Sequence, residues 1–212
     1  GKKEVPLVQD VDVVVVGGTC GAVSAAEAAA RAGAHVMLVT SGLALGEDIA
    51  GTLRLWEEPK YVSASRLMRE MYGQKDGEEP TGSELLYTTP LQVKKALDSA
   101  LLNAGVTFLT GAYATDILKD SDGHVAGVVI TDRSGRQAVR AKVVIDCGSR
   151  ARLAMLAGAE FTPFPAGDYM VSRVVIGDNA PDCGGSVVKH EKWKPDKDVF
   201  KLSGKTKVTQ AL

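Results

Sequence analysis

The chain has 212 residues, enough for one domain or one domain and part of a second. Its 25 Lys and Arg against 26 Asp and Glu leave a formal charge of −1, which makes no electrostatic case for nucleic acid or an anionic membrane. Three widely spaced Cys without a CxxC or zinc pattern argue against a disulfide scaffold, and no apolar run approaches the roughly 18 residues of a spanning helix. Residues 1–6 show no signal-peptide core, so a cytoplasmic compartment is the default expectation, with export after signal removal as the other possibility.

Residues 12–16, DVVVV, are β-branched and apolar on both faces, which predicts a buried parallel strand. An Ala-rich helix over 22–32, stopped by Gly33, leads to a second strand at 35–39. Together with the glycine-bearing turn between them, these make a βαβ unit with a right-handed crossover. Residues 42–56 carry Gly42, Gly46 and Gly51 without a period and read as loop. Leu67, Met68 and Met71 give helical spacing over 62–72, and 74–82 reads as a solvated surface loop. Pro90 opens a helix through 103, with Leu91, Val93, Leu97 and Leu101 near one face, and Gly105 closes it before a strand at 106–109.

The pattern then turns antiparallel. Strands at 112–119, 124–131 and 136–145 are joined by DSDG and DRSG, both with hairpin turn chemistry. The third runs into VVID, apolar enough to rejoin the parallel sheet, and a short helix follows at 152–158. Beyond Phe161 only 169–176 reads as a strand. The expected class is α/β: a Rossmann-like domain over 1–165, with a parallel sheet, a three-stranded antiparallel meander and a helical and loop insertion at about 42–90. Residues 166–212 are expected to begin a second, incomplete domain of substrate or interface type.

A phosphate-binding turn needs one glycine for the tight turn, one for close backbone approach to pyrophosphate and one for helix packing. Gly17 meets the first need, Gly18 and Gly21 add freedom, and Ala22 stands for the packing glycine. Thr19 occupies the usual place of the second glycine. Turns of βαβ units without nucleotide also use glycine, so the motif alone leaves a plain structural turn open.

The text VVVVGGT at 13–19, AAEAAARAGA at 25–34, GVVI at 127–130, AKVVID at 141–146 and LAGA at 156–159 is collinear. Over about residues 5–165 the chain resembles the N-terminal portion of the FAD-dependent oxidoreductase family, flavoproteins with two dinucleotide-binding folds. That resemblance implies FAD as cofactor and redox chemistry on a small-molecule substrate. It implies that Gly17, Gly18, Thr19 and Ala22 line the FAD pyrophosphate, with Cys20 in the same turn. It carries Gly46, Glu47 and Asp48 to a segment passing near the flavin, and Ala114 to a backbone contact with adenine. Cys147 and Gly148 follow Asp146 where the family has an Asp-Ala-Thr-Gly strand end.

Three departures qualify the resemblance. The family ends its second strand with a carboxylate that accepts from the adenosine ribose; here Thr40 and Ser41 stand there, offering only weaker neutral hydrogen bonds. Losing a charged acceptor forfeits about 1.5–3 kcal/mol, or roughly tenfold or more in affinity. The next Arg is Arg54, which does not favour NADP. Arg150 and Arg152 occupy positions that are often acidic. The family's late Gly-Asp strand at the ribitol has no counterpart, so the remainder of the fold is expected from another chain, a C-terminal continuation or a homo-oligomer. The alternative reading is a cofactor-free interaction or scaffold subunit that kept the fold.

Cys20 and Cys147 leave a redox pair or a metal-thiolate site open, but small buried side chains are the expected role, and no metal site is expected. His35, His124 and His190 fall away from the predicted site, and no residue is assigned as catalytic. Trp56 and Tyr87 are expected in the core rather than over a flavin, and the Lys-rich segment at 189–207 as a solvated face or an interface with an acidic chain.

Overall fold

The computed structural model describes residues 4–75, 84–162, 167–176, 186–190 and 199–208. The chain divides into two compact units, Gly1–Gly51 with Leu55–Glu160, and Thr52–Arg54 with Phe161–Leu212.

In the first unit β1 (Leu7–Val16), α1 (Cys20–Arg31) and β2 (Val36–Val39) form the βαβ unit. Then come β3 (Trp56–Glu57), α2 (Pro59–Val62), α3 (Arg66–Met71), β4 (Leu86–Tyr87) and α4 (Pro90–Asn103). β5 (Thr107–Leu109), β6 (Tyr113–Lys119), β7 (Val125–Asp132), β8 (Gly135–Asp146) and α5 (Arg152–Ala157) complete it. One sheet runs β5-β2-β1-β8-β7-β6. Its first four strands are mutually parallel, and β8, β7 and β6 pair antiparallel, so β8 belongs to both the meander and the parallel sheet.

Strand alternation sends the β-branched run to two cores. Val15, Val36 and Leu38 face the cluster built by Val23 and Ala26 of α1 and by Val93, Leu97 and Leu101 of α4. Val14, Met37 and Val39 face the other cluster, with Val128, Ile130 and Val139 of the meander and Leu153 of α5. Small side chains on α1 let it lie against the sheet, and Glu27 on that helix takes ion pairs from Arg31 and from Arg66 of α3.

Several boundaries differ from the predicted ones, for physical reasons. β1 begins at Leu7 because its polar start pairs with β8, Asp10 opposite Arg140 and Val11 opposite Ala141; its even positions carry ion pairs from Arg140 to Asp10 and Lys142 to Asp12. Of the helix predicted at 62–72 only α3 is helical in its body, because α2 ends at Val62 and the Ser65 hydroxyl starts α3 by accepting from the Met68 N–H at 3.1 Å. α4 begins at Pro90, as predicted, behind a Thr89 cap that the structure adds.

The second unit contains β9 (Gly167–Ile176), β10 (Ser186–His190) and β11 (Val199–Val208), antiparallel in the order β10-β11-β9. Only the first was predicted. In β11, Lys201, Ser203, Lys205 and Lys207 alternate with Phe200, Leu202, Thr206 and Val208, a strand pattern masked by its charge. The segment at 191–198 and Cys183 lie outside the described residues.

Candidate functional site

The C-terminal ends of β1, β2 and β8 lie side by side, with Val16 opposite both Val39 and Asp146. The Gly17 N–H donates to the Val39 carbonyl at 2.8 Å, and the Cys147 N–H donates to the Val16 carbonyl at 2.8 Å. Gly17 has φ +138°, and a Cβ there would lie 2.7 Å from the Cys147 carbonyl oxygen. The turn after β1 is therefore closed against the turn after β8. Ligands of open α/β sheets bind outside such strand ends, where the chain leaves the sheet in opposite directions.

A cavity of about 240 Å³ opens at that point. Val16 and Gly17 form its base, with Thr40, Ser41 and Glu47 on one side and residues 112–114 on another. The turn after β8 closes it through Asp146, Gly148, Ser149, Arg150, Arg152 and Leu153.

At the start of α1 the Thr19 hydroxyl accepts from the Ala22 N–H at 3.2 Å, a cap worth about 1 kcal/mol. The Cys20 N–H donates to both Asp48 carboxylate oxygens at 3.1 Å. An acid at a helix N-terminus is favourable, and this one ties the 42–51 loop to the turn. The Cys20 thiol donates to Asp48 Oδ1 at 3.4 Å; burial, then the adjoining carboxylate, pushes its pKa up. Burial and then Asp146 push the Cys147 thiol up as well. Both are free thiols held protonated, which is the opposite of a nucleophilic or redox-active cysteine. Peptide-resolved alkylation at pH 8 is expected to modify Cys20 more slowly than an unstructured cysteine, and Asp48→Asn is expected to speed it severalfold. Modification of wild-type Cys20 at the unstructured rate would contradict this.

At the end of β2, Thr40 is buried and locked in backbone pairing: its N–H donates to the Leu109 carbonyl and its carbonyl accepts from the Ala112 N–H, both at 3.0 Å. Its hydroxyl accepts from the Gly42 N–H at 3.1 Å. After β8, Asp146 caps α5: one oxygen accepts from the Leu153 and Ala154 N–H groups at 2.9 and 3.1 Å, the other from Gly148 at 2.9 Å. This is a local role for the acid at the family's Asp-Ala-Thr-Gly position. Arg150 and Arg152 are exposed at the rim.

Of the residues singled out from sequence, Gly17, Thr40, Ser41, Glu47, Ala114 and Gly148 line the cavity. Gly18 and Gly46 are joined behind it, the Gly46 N–H donating to the Gly18 carbonyl at 2.7 Å. Ala22, in the first turn of α1, is fully buried against the sheet, and its N–H is held by Thr19. Asp48 turns to α1, and Cys20 and Cys147 pack partly buried against the α-side core. Tyr113, Ala112 and Ser149 line the cavity without having been singled out; they follow from the register after β5 and β8, which no spacing rule reveals. His35 and His124 are exposed, and Trp56 is in the core. In the hairpin after β6 the Asp120 carboxylate accepts from the Asp122 and His124 N–H groups, ordinary Asx-turn chemistry.

The family model for FAD dependent oxidoreductases matches residues 12–166. The chain belongs to that family. FAD is the cofactor the family uses, and the helix-and-sheet architecture above is its Rossmann-like FAD-binding fold. No curated protein matches the sequence. Among solved structures, the chain is similar to a geranylgeranyl bacteriochlorophyll reductase-like protein from Thermoplasma acidophilum, at TM-score 0.64 and 18% identity over 92% of this chain and 56% of the other. It is similar to the anhydrotetracycline hydroxylase OxyS of Streptomyces rimosus, at TM-score 0.64 and 16% identity over 92% and 45%. PqsL from P. aeruginosa matches at TM-score 0.58 and 17% identity over 94% and 61%. The chain thus spans roughly half to three-fifths of the solved structures it resembles, and at these identities the likeness is one of fold. Among the described residues no helix is long and apolar enough to cross a membrane.

Proposed function

We propose that this chain is the FAD-binding portion of an FAD-dependent oxidoreductase, with the adenosine end of the cofactor in the cavity between Thr40, Ala114 and Gly148. The observation that carries this reading is the convergence of three strand ends and the 112–114 segment on one cavity beside the N-terminus of a twelve-residue helix.

The residues present fit that group. Gly17 keeps the base of the cavity free of a side chain, and the Ser41 hydroxyl offers a polar group beside the apolar side chains of Val16, Ala114 and Leu153. The pyrophosphate would be held by the N–H groups of Gly18, Thr19 and Gly21, since those of Gly17, Cys20 and Ala22 already donate to Val39, Asp48 and Thr19, and by the positive end of the α1 dipole. Arg150 and Arg152 supply positive charge at the rim, where an anionic dinucleotide needs it. When bound, FAD supplies the electron-transfer chemistry, and the protein binds, orients and shields it. The substrate is proposed to be a small molecule, with the rest of the fold supplied by a continuation of the chain or by a second copy or partner chain.

One observation favours the cofactor-free reading: Asp48 already holds the Cys20 N–H, and its negative charge opposes a phosphate there. Gel filtration after incubation with excess FAD separates the two readings. The intact protein is expected to retain about one FAD per chain, bleached by an anaerobic electron donor and recoloured by an acceptor. A folded protein that elutes free of flavin would favour the scaffold reading, and retained flavin that does not cycle would overturn the oxidoreductase.

A further inference from the structure

We infer that Glu47, on the 42–51 loop, supplies the ribose-binding carboxylate that the end of β2 lacks. The inference rests on the FAD reading proposed above and adds the group that recognises the sugar.

The residue standing where an acid is usual cannot take that role. Thr40 is 2% exposed, both its backbone polar groups are engaged, and its hydroxyl already accepts from the Gly42 N–H. Ser41 reaches the cavity but brings only a neutral hydroxyl. Arg150 and Arg152 also reach it, and a guanidinium has no acceptor for a sugar hydroxyl.

Two carboxylates line the cavity among the described residues, Asp146 and Glu47. Asp146 spends both oxygens on the N–H groups of Gly148, Leu153 and Ala154. Glu47 comes from a different direction and lands at the place β2 leaves without charge. Its Oε2 lies 3.4 Å from the position a Cβ would take on Gly42, two residues beyond Thr40. Gly42, having no side chain, leaves that approach open.

The loop fixes Glu47 from both flanks. On one side Gly46 donates to the Gly18 carbonyl at 2.7 Å, and its own carbonyl accepts from Ile49, Ala50 and Gly51 at 3.1, 2.7 and 3.2 Å. On the other side Asp48 is held by the Cys20 N–H. The carboxylate between these anchors is exposed and faces the cavity. A vicinal diol donates two O–H bonds that a single carboxylate accepts together, so the matching ligand group is an unsubstituted ribose.

Calorimetry on the intact protein with ADP and with 2′,3′-dideoxy-ADP tests this, using wild type, Glu47→Gln and Glu47→Ala. Wild type is expected to bind ADP about tenfold or more tightly than the dideoxy analogue. Both variants are expected to lose that preference: ADP binding weakens about tenfold while dideoxy-ADP binding stays at the wild-type value. Because Glu47 is exposed, circular dichroism and the thermal midpoint are expected to be unchanged. Variants that keep the full preference for ADP, or a wild type without one, would overturn the role of Glu47 while leaving FAD binding intact. Absence of ADP binding by every form would overturn the FAD reading and this inference with it.

Discussion

Gly17→Ala is expected to destabilise the protein by roughly 3–5 kcal/mol and to abolish FAD retention. Two costs add. The backbone at φ +138° is a conformation that a side chain strains, and the new Cβ would sit 2.7 Å from the Cys147 carbonyl oxygen and 2.9 Å from its carbon. Neither atom is a movable side-chain tip, so β1 and β8 must separate at the base of the cavity. A urea titration with linear extrapolation reads the first effect, and gel filtration with FAD reads the second. Gly105→Ala is the control: φ is +71° there, with nothing within 4 Å, so the cost is the left-handed backbone alone, about 1 kcal/mol. A Gly17→Ala protein as stable as this control would show that the two turns are not closed against each other.

Gly127→Ala is expected to destabilise by a similar roughly 3–5 kcal/mol but to leave the FAD affinity of the folded protein unchanged. Gly127 has φ +139° on β7, opposite Arg140, and a Cβ there would overlap the Val139 carbonyl oxygen and lie 2.9 Å from the Arg140 Cα. The strain falls on the β7–β8 pairing, and Gly127 is not among the residues lining the cavity. The two variants together separate a structural glycine from one at the site. Calorimetry at a temperature where both remain folded is expected to show wild-type FAD affinity for Gly127→Ala and none for Gly17→Ala. Equal affinities would reduce Gly17 to a structural role.

Much of the fold was legible because it is written in periodicity and turn chemistry. The β-branched run at 13–16, the Ala-rich α1, the Pro90 start of α4 and the Asp- and Gly-bearing hairpins each act over a few residues. The apolar Val143 to Ile145 at the end of β8 foretold its return beside β1. Less legible was whatever depends on partners far along the chain. The polar start of β1 is a strand because it pairs with β8, some 130 residues further along the chain. The break between α2 and α3 depends on a single serine cap, and β11 was read as a run of charge.

The site divides in the same way. The glycine turn, Thr40, Ala114 and the strand end at 146–148 were visible as positions along a familiar order of elements. The direction of a loop side chain was not. Glu47 and Asp48 are neighbours in sequence, yet one faces the cavity and the other takes the first N–H of α1, because Gly46 gathers three N–H groups on one carbonyl and turns the chain there. Nor could spacing show that Arg150 and Arg152 stand at the rim of the same cavity as Thr40, which lies more than a hundred residues earlier.

Hydrogen–deuterium exchange with peptide resolution reads whether FAD lies with its adenosine end in this cavity. Adding FAD to the intact protein is expected to slow exchange at 16–22, 40–47, 112–114 and 146–153 together, while amides of β7 away from the cavity are unchanged. FAD bound without protection of those four segments, or no change on adding FAD to the folded protein, would contradict binding of the adenosine end there.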